Sequence, residues 1–144
     1  MSRSPRPLAV VCVSGGMDSA VTAALAGRDR RLAFLHANYG QRTEARELAC
    51  FHALADHYEV ESRLVVDFSD LRQIGGSSLT DPSVPVREEM PAPGVVPTSY
   101  VPFRNAHMLS AATSLSAHGL TEIFRTFGSL RMMSILWCNG SQHP

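Results

Sequence analysis

The chain of 144 residues contains no lysine: all 13 of its basic residues are arginines. That absence excludes Schiff-base catalysis, attachment of pyridoxal phosphate, and the lysine of a Walker A loop. An excess of either charge is missing too, because 13 acidic residues bring the formal net charge to zero. No whole-chain field draws the protein to nucleic acid or to an anionic membrane. Little self-repulsion keeps copies apart, which leaves a homodimer open. Cysteine is sparse, with Cys12, Cys50 and Cys138 far apart and no C-x-x-C pair. The spacing offers neither a zinc knuckle nor a redox dithiol, and Cys12, in an apolar run, reads as an inert buried thiol. No stretch is apolar for long enough to span a bilayer, and the first residues lack the apolar core of a signal peptide. The expectation is a cytoplasmic protein with no membrane and no nucleic-acid partner. Its length suits one domain with a real core.

What is present is an alternation of strand and helix signals. Residues 8–13 (LAVVCV) are continuously apolar and end in Ser-Gly-Gly, as a strand buried on both faces would. Residues 18–26 turn helical and Gly27 stops them. Residues 32–37 form a second strand. Residues 42–58 form a helix whose apolar stripe is expected at Ala45, Leu48, Ala49, His52, Ala55 and Tyr58. Residues 63–68 form a third strand. The order predicts an α/β fold, a doubly wound parallel sheet with right-handed crossovers. Ligands of such sheets bind at the carboxyl ends of strands, here after Val13, after Ala37 and near Phe68. Residues 69–102 are different: Gly75-Gly76, many prolines and little periodicity. A connection of that length is usually functional or mobile, and a lid is expected here. A helix returns over residues 103–118, with Met108, Ala111, Ala112 and Leu115 on one face. A fourth strand is expected at 121–124. The chain divides into a domain at 1–124 and an atypical tail at 125–144.

The strongest local signal is Ser14-Gly15-Gly16-Met17-Asp18-Ser19, between a strand and a helix. Two glycines let the backbone turn tightly and bring its N–H groups close to an anion. The following helix adds free N–H donors and a partial positive charge. Asp18 or Ser19 can cap that helix, and the hydroxyls of Ser14 and Ser19 add donors. Charge-assisted hydrogen bonds contribute roughly 1.5–3 kcal/mol each, so a few of them hold a pyrophosphate group without any lysine.

This string resembles the PP-loop of the adenine nucleotide α-hydrolase superfamily. The resemblance implies ATP cleaved between its α and β phosphates, an adenylated intermediate, and pyrophosphate as leaving group. The nucleotide-binding residues it implies are Val13, Ser14, Gly15, Gly16, Met17, Asp18, Ser19, Ala20, Val21, Thr22 and Ala23, with Mg2+ beside Asp18. Three further segments narrow the family. They are Asn38-Tyr39-Gly40-Gln41-Arg42, then 73–81 (QIGGSSLTD), then Tyr100-Val101-Pro102-Phe103-Arg104-Asn105. In this order they are similar to the 7-cyano-7-deazaguanine synthase family, the QueC type, from about Leu8 to Phe124. The family has aspartate where this chain has Asn38.

The resemblance implies 7-carboxy-7-deazaguanine and ammonia as substrates. Asp18 and Arg104 then serve as catalytic residues, and Gln41, Arg42, Tyr100, Arg104 and Asn105 hold the substrate. The residues themselves allow simpler roles. Gln41 and Arg42 can open the second helix, Asn105 can cap the third, Arg104 can form a surface ion pair, and Gly75-Gly76 can be a plain turn. His36, inside an apolar strand, reads as a packed imidazole. His52, His57, His107 and His118 have no metal-ligand spacing and read as structural. After Phe124 the family pattern of a glycine, an Asp-Tyr-Ser-Gly and a zinc-binding cysteine cluster is absent. Zn2+ belongs to the family, but Cys138 and His143 cannot build a tetrahedral site. A shifted reading frame or broken gene near Phe124 is the expectation, which makes the fold incomplete at its C-terminus. Two rival readings remain: another PP-loop adenylating enzyme, such as a tRNA thiolase or an amidotransferase synthetase, and an inactive nucleotide-binding remnant.

Overall fold

The computed structural model describes residues 6–86, 94–116, 121–126 and 132–137. The elements run β1 (Leu8–Cys12), α1 (Met17–Ala26), β2 (Arg31–Asn38), α2 (Glu44–His57), β3 (Ser62–Asp67), α3 (Asp70–Ile74), α4 (Arg104–Leu115), β4 (Thr121–Thr126) and β5 (Met132–Trp137). They form one five-stranded sheet in the order β3-β2-β1-β4-β5. Strands β3, β2, β1 and β4 are parallel, and β5 is antiparallel to β4. The doubly wound plan is thus observed over four strands, and the expectation of a parallel sheet is corrected at the fifth. Residues 127–131 alone separate β4 from β5. A span that short joins antiparallel strands and cannot make a parallel crossover. The boundary at residue 124 has no counterpart in the sheet, because β4 runs through it and β5 follows in the same sheet. Cys138, His118 and His143 lie outside the described residues.

Both faces of the central strands are buried, as their continuous apolar sequence requires. Alternate residues sort to opposite faces. Ala9, Val11 and Phe34 meet Ala23 and Ala26 of α1 and Phe51 and Ala55 of α2. Val10, Ala33 and Leu35 meet Ala112 of α4, with Leu109, Ala111 and Leu115 beside it. The expected face of α4 is therefore observed in part, while Met108 joins a third cluster with Tyr39, Leu71 and Val101.

The stripe on α2 is rotated from the expected one. Ala45, Ala49 and His52 are exposed. The buried positions are Phe51 and Ala55, flanked by Leu48, Leu54 and Tyr58. Both stripes have helical spacing, and the bulkier side chains win the core because they remove more apolar surface from water. Phe51 is fully buried, with ring centroids 6.4 Å from Phe34 and 5.3 Å from His36.

The long connection is partly built into the domain. It begins with α3, which the sequence pattern did not announce. Ser77, Ser78 and Thr80 are buried. The Ser78 N–H donates to Thr98 O at 2.8 Å, and the Arg42 N–H donates to Leu79 O at 3.0 Å. Residues 77–80 are thus wall rather than lid, a correction that comes from backbone hydrogen bonding invisible to composition. Ser83 donates hydroxyl and backbone hydrogen bonds to Asp81, which holds that carboxyl below its usual range. No helix among the described residues is long and apolar enough to cross a membrane.

Truncating Phe51→Ala should lower the unfolding free energy by about 3–5 kcal/mol. Ala49→Ser, on the exposed side of the same helix, should stay within about 0.5 kcal/mol. Urea titration followed by circular dichroism measures both.

Candidate nucleotide site

The site begins where β1 runs out. The Val13 N–H donates to Leu35 O at 2.8 Å. The Val13 carbonyl accepts from His36 Nδ1 at 2.8 Å. Ser14 follows, exposed, and then Gly15 turns the chain with φ +77°. A Cβ built on Gly15 would stand 2.6 Å from Cys50 Cβ and 3.0 Å from Glu47 O. Glycine is required twice over, by the backbone angle and by the closeness of α2.

Gly16 is the N-cap of α1, in extended conformation, and no side chain caps the helix. The expected capping by Asp18 or Ser19 is therefore corrected. The Ser19 hydroxyl instead donates to Gly16 O at 2.8 Å, and the Thr22 hydroxyl donates to Asp18 O at 2.8 Å. Both side chains are buried beneath the loop. Their short hydroxyls find a nearer acceptor in the helix's own carbonyls than in any group beyond the loop. The first N–H groups of α1 are left without a side-chain partner, which is the arrangement an anion completes.

A cavity of about 500 Å³ opens in front of this turn, within the range of small-molecule sites. Its near wall is Cys12, Val13, Ser14, Gly16, Met17 and Asp18. Its floor and far wall are Leu35, His36, Ala37 and Tyr39 from β2 and the turn after it, Glu47 from α2, and Arg104 and Met108 from α4. The cavity lies at the carboxyl ends of β1 and β2. From β1 the chain winds to β2 on one side, while β4 lies on the other, so this is a topological switch point.

Arg104 opens α4 and leans on the β2 turn. Its Nη1 donates to the Tyr39 hydroxyl at 3.2 Å, and its guanidinium carbon lies 5.4 Å from the Tyr39 ring centroid. Its Nε is buried without a hydrogen-bond partner. A half-buried cationic fork with an unused donor is suited to a carboxylate or phosphate.

A second cavity of about 420 Å³ is lined by Gln41, Arg42, Thr43, Ser78, Leu79 and Val86, and shares Tyr39 and Glu47 with the first. Gln41 is buried and committed to the turn. Its Oε1 accepts the Tyr39 N–H at 2.8 Å, and its Nε2 donates to Glu47 Oε2 at 3.2 Å. Arg42 is exposed at the mouth. Gly40, at φ +74°, lets Arg72 close over the same turn, since a Cβ there would stand 2.8 Å from Arg72 Cδ.

Of the residues expected to bind nucleotide, the structure brings Val13, Ser14, Gly16, Met17 and Asp18 to the first cavity, with Arg104 opposite. Gly15 acts from behind. Ala23 lies in the core and Val21 is half exposed, so neither lines either cavity. Tyr100 is exposed and stands apart from both. Asn105 also lines neither, and it is no cap, because Phe103 holds that position. Its Oδ1 is buried without a partner. Sequence reasoning missed Glu47, Tyr39 and Met108 as cavity residues. Glu47 lies off the stripe expected for α2, and nothing in the pattern marked it or Met108 as facing a cavity.

The model of the family described as "Queuosine biosynthesis protein QueC" matches residues 8–130, reaching a little beyond Phe124. A protein of Chloroherpeton thalassium named 7-cyano-7-deazaguanine synthase is 55% identical over 118 residues, which are 81% of this chain and 52% of that protein. Proteins of the same name from Chlorobaculum parvum and Chlorobium limicola are 55% and 51% identical over 109 residues, each match covering 75% of this chain and 48% of the relative. The chain spans about half the length of the curated relatives it matches.

Gly15→Ala should destabilise the protein by more than about 1 kcal/mol, because alanine resists the positive φ and meets α2. Gly16→Ala, with φ −83° and no atom nearer than 3.7 Å, should stay within about 1 kcal/mol. Thermal unfolding of the two variants checks the contrast.

Proposed function

This chain belongs to the QueC family of queuosine biosynthesis proteins, and from that premise we propose that it acts as an ATP-dependent carbon–nitrogen ligase. The reaction turns 7-carboxy-7-deazaguanine and ammonia into 7-cyano-7-deazaguanine. Bound ATP supplies the activation: the carboxylate and then the amide oxygen are adenylated with loss of pyrophosphate, and AMP departs at each stage.

The observation that carries this reading is the uncapped N-terminus of α1 sharing one cavity with Arg104. Backbone N–H groups of the Ser14-to-Asp18 turn bind the phosphates and aim them. They stabilise charge as it shifts onto the leaving pyrophosphate, and they do so without reorganising. Arg104 holds the opposing anion, the substrate carboxylate or a phosphate oxygen, with the fork that Tyr39 positions. Asp18, exposed at the cavity lip, would be the carboxylate that holds Mg2+, whose charge would offset that of the phosphates. The protein's work is orientation and charge neutralisation rather than covalent chemistry. Arg42, which lines the second cavity, is assigned to the deazaguanine on this reading.

Absence of a lysine and of any charge excess supports a small-molecule substrate over tRNA. The protein is a cytoplasmic enzyme on this reading, with homodimerisation an open property of its neutral surface.

Incubation with ATP labelled at the α phosphate, 7-carboxy-7-deazaguanine and ammonium should release labelled AMP and pyrophosphate only when the deazaguanine is present. Arg104→Lys should lower kcat/KM at least about tenfold, the loss of one charge-assisted bond. Release of ADP and phosphate would contradict the proposal. Tight ATP binding without AMP would reduce it to nucleotide binding.

A further inference from the structure

Val13 is the residue at which β1 becomes the phosphate loop, and both polar groups of its backbone are tied to β2. Its N–H donates to Leu35 O, and its carbonyl lies 2.8 Å from His36 Nδ1. A carbonyl oxygen can only accept, so Nδ1 carries the hydrogen and donates it. We propose that His36 is a positioning residue for the phosphate loop, whose Nδ1–H holds the Val13 carbonyl back so that the loop presents N–H groups to an anion. The proposal rests on the phosphate reading of the same cavity.

His36 is fully buried, two residues along β2 from the fully buried Phe34, and it lines the cavity. Its ring packs at 5.3 Å from Phe51, which is itself fully buried. That packing fixes the ring, so the direction of its one hydrogen bond is fixed as well. Nε2 is buried without a partner. An unpartnered buried nitrogen opposes folding. An aliphatic side chain would fill the same slot without that cost; what histidine adds there is the bond from Nδ1. That bond ends on the residue that opens the loop. A bare carbonyl at the rim would set a partial negative charge against a bound phosphate. With the Nδ1–H on it, that charge is offset and the Val13 peptide is held at both ends. The next peptide then turns towards Ser14 and Gly15 from a fixed start.

The test compares His36→Asn, whose amide nitrogen can stand where Nδ1 stands, with His36→Gln, which carries its amide further out, and His36→Leu, which has no donor. Pyrophosphate is the probe, titrated calorimetrically against each folded variant, with hydrogen exchange at the Ser14 and Gly15 amides as a second readout. His36→Leu should weaken pyrophosphate binding about tenfold, the worth of one hydrogen bond to a buried carbonyl. His36→Asn should stay within about threefold of the parent, a rescue that packing alone does not predict. Parental affinity in folded His36→Leu, or equal losses in Asn and Leu, would overturn the proposal. If His36→Leu does not fold, Asn against Gln decides, and equal affinities overturn it. If the parent itself binds no pyrophosphate, the phosphate reading fails on its own. Hydrogen exchange then judges His36: faster exchange in Leu or Gln than in Asn supports it, and equal rates overturn it.

Discussion

Gly15 and α2 touch closely enough that no side chain fits between them: a Cβ on Gly15 would lie 2.6 Å from that of Cys50. This approach sets where the chain turns out of β1 and therefore where α1 begins. The position of α2 rests in turn on Phe51, wedged between Phe34 and His36. A hydrophobic contact on one face of the sheet thus decides where a set of peptide N–H groups points. The loop has no side chain of its own with which to grip an anion, beyond the exposed Ser14. Its capacity to bind depends on backbone geometry, and backbone geometry depends on this packing.

The lack of lysine sharpens that dependence. A Walker-type loop adds a mobile ammonium that tolerates imprecision in the backbone. Here the opposing charge comes from Arg104, on an element far away in sequence, steadied by the Tyr39 hydroxyl and ring. Tyr39 in turn is oriented through its own N–H by Gln41. The turn after β2 therefore joins the two halves of the site. The same turn lies between the two cavities, which share Tyr39 and Glu47 as common structure.

Much of this was legible in the sequence, and the reasons are physical. Strands buried on both faces leave unbroken apolar runs, so β1 and β2 were plain. The glycine pair between strand and helix marked the loop, and of the two it is Gly15 whose turn no other residue tolerates. The face of α2 was misread because alanines and a histidine at helical spacing imitate a core stripe; only tertiary contact reveals that Phe51 takes the inside. Strand β5 was invisible because its partner is chosen by the sheet edge. Gln41 was named on family resemblance; what its residue type did not reveal is that its amide bonds the backbone of Tyr39 and the carboxylate of Glu47. Asn105 and Tyr100 were named on family resemblance, and the structure sets both outside the cavities.

On the proposed function, peptide N–H groups of the β1–α1 turn, assisted by Arg104, hold the phosphates. Titration of the 15N-labelled protein with pyrophosphate, followed by amide and guanidinium resonances, tests it most directly. The largest saturable downfield shifts should fall at the amides of Gly15, Gly16, Met17 and Asp18 and at Arg104 Nε. Shifts centred instead on Thr43 and Ser78 of the second cavity, or none at millimolar pyrophosphate, would contradict it.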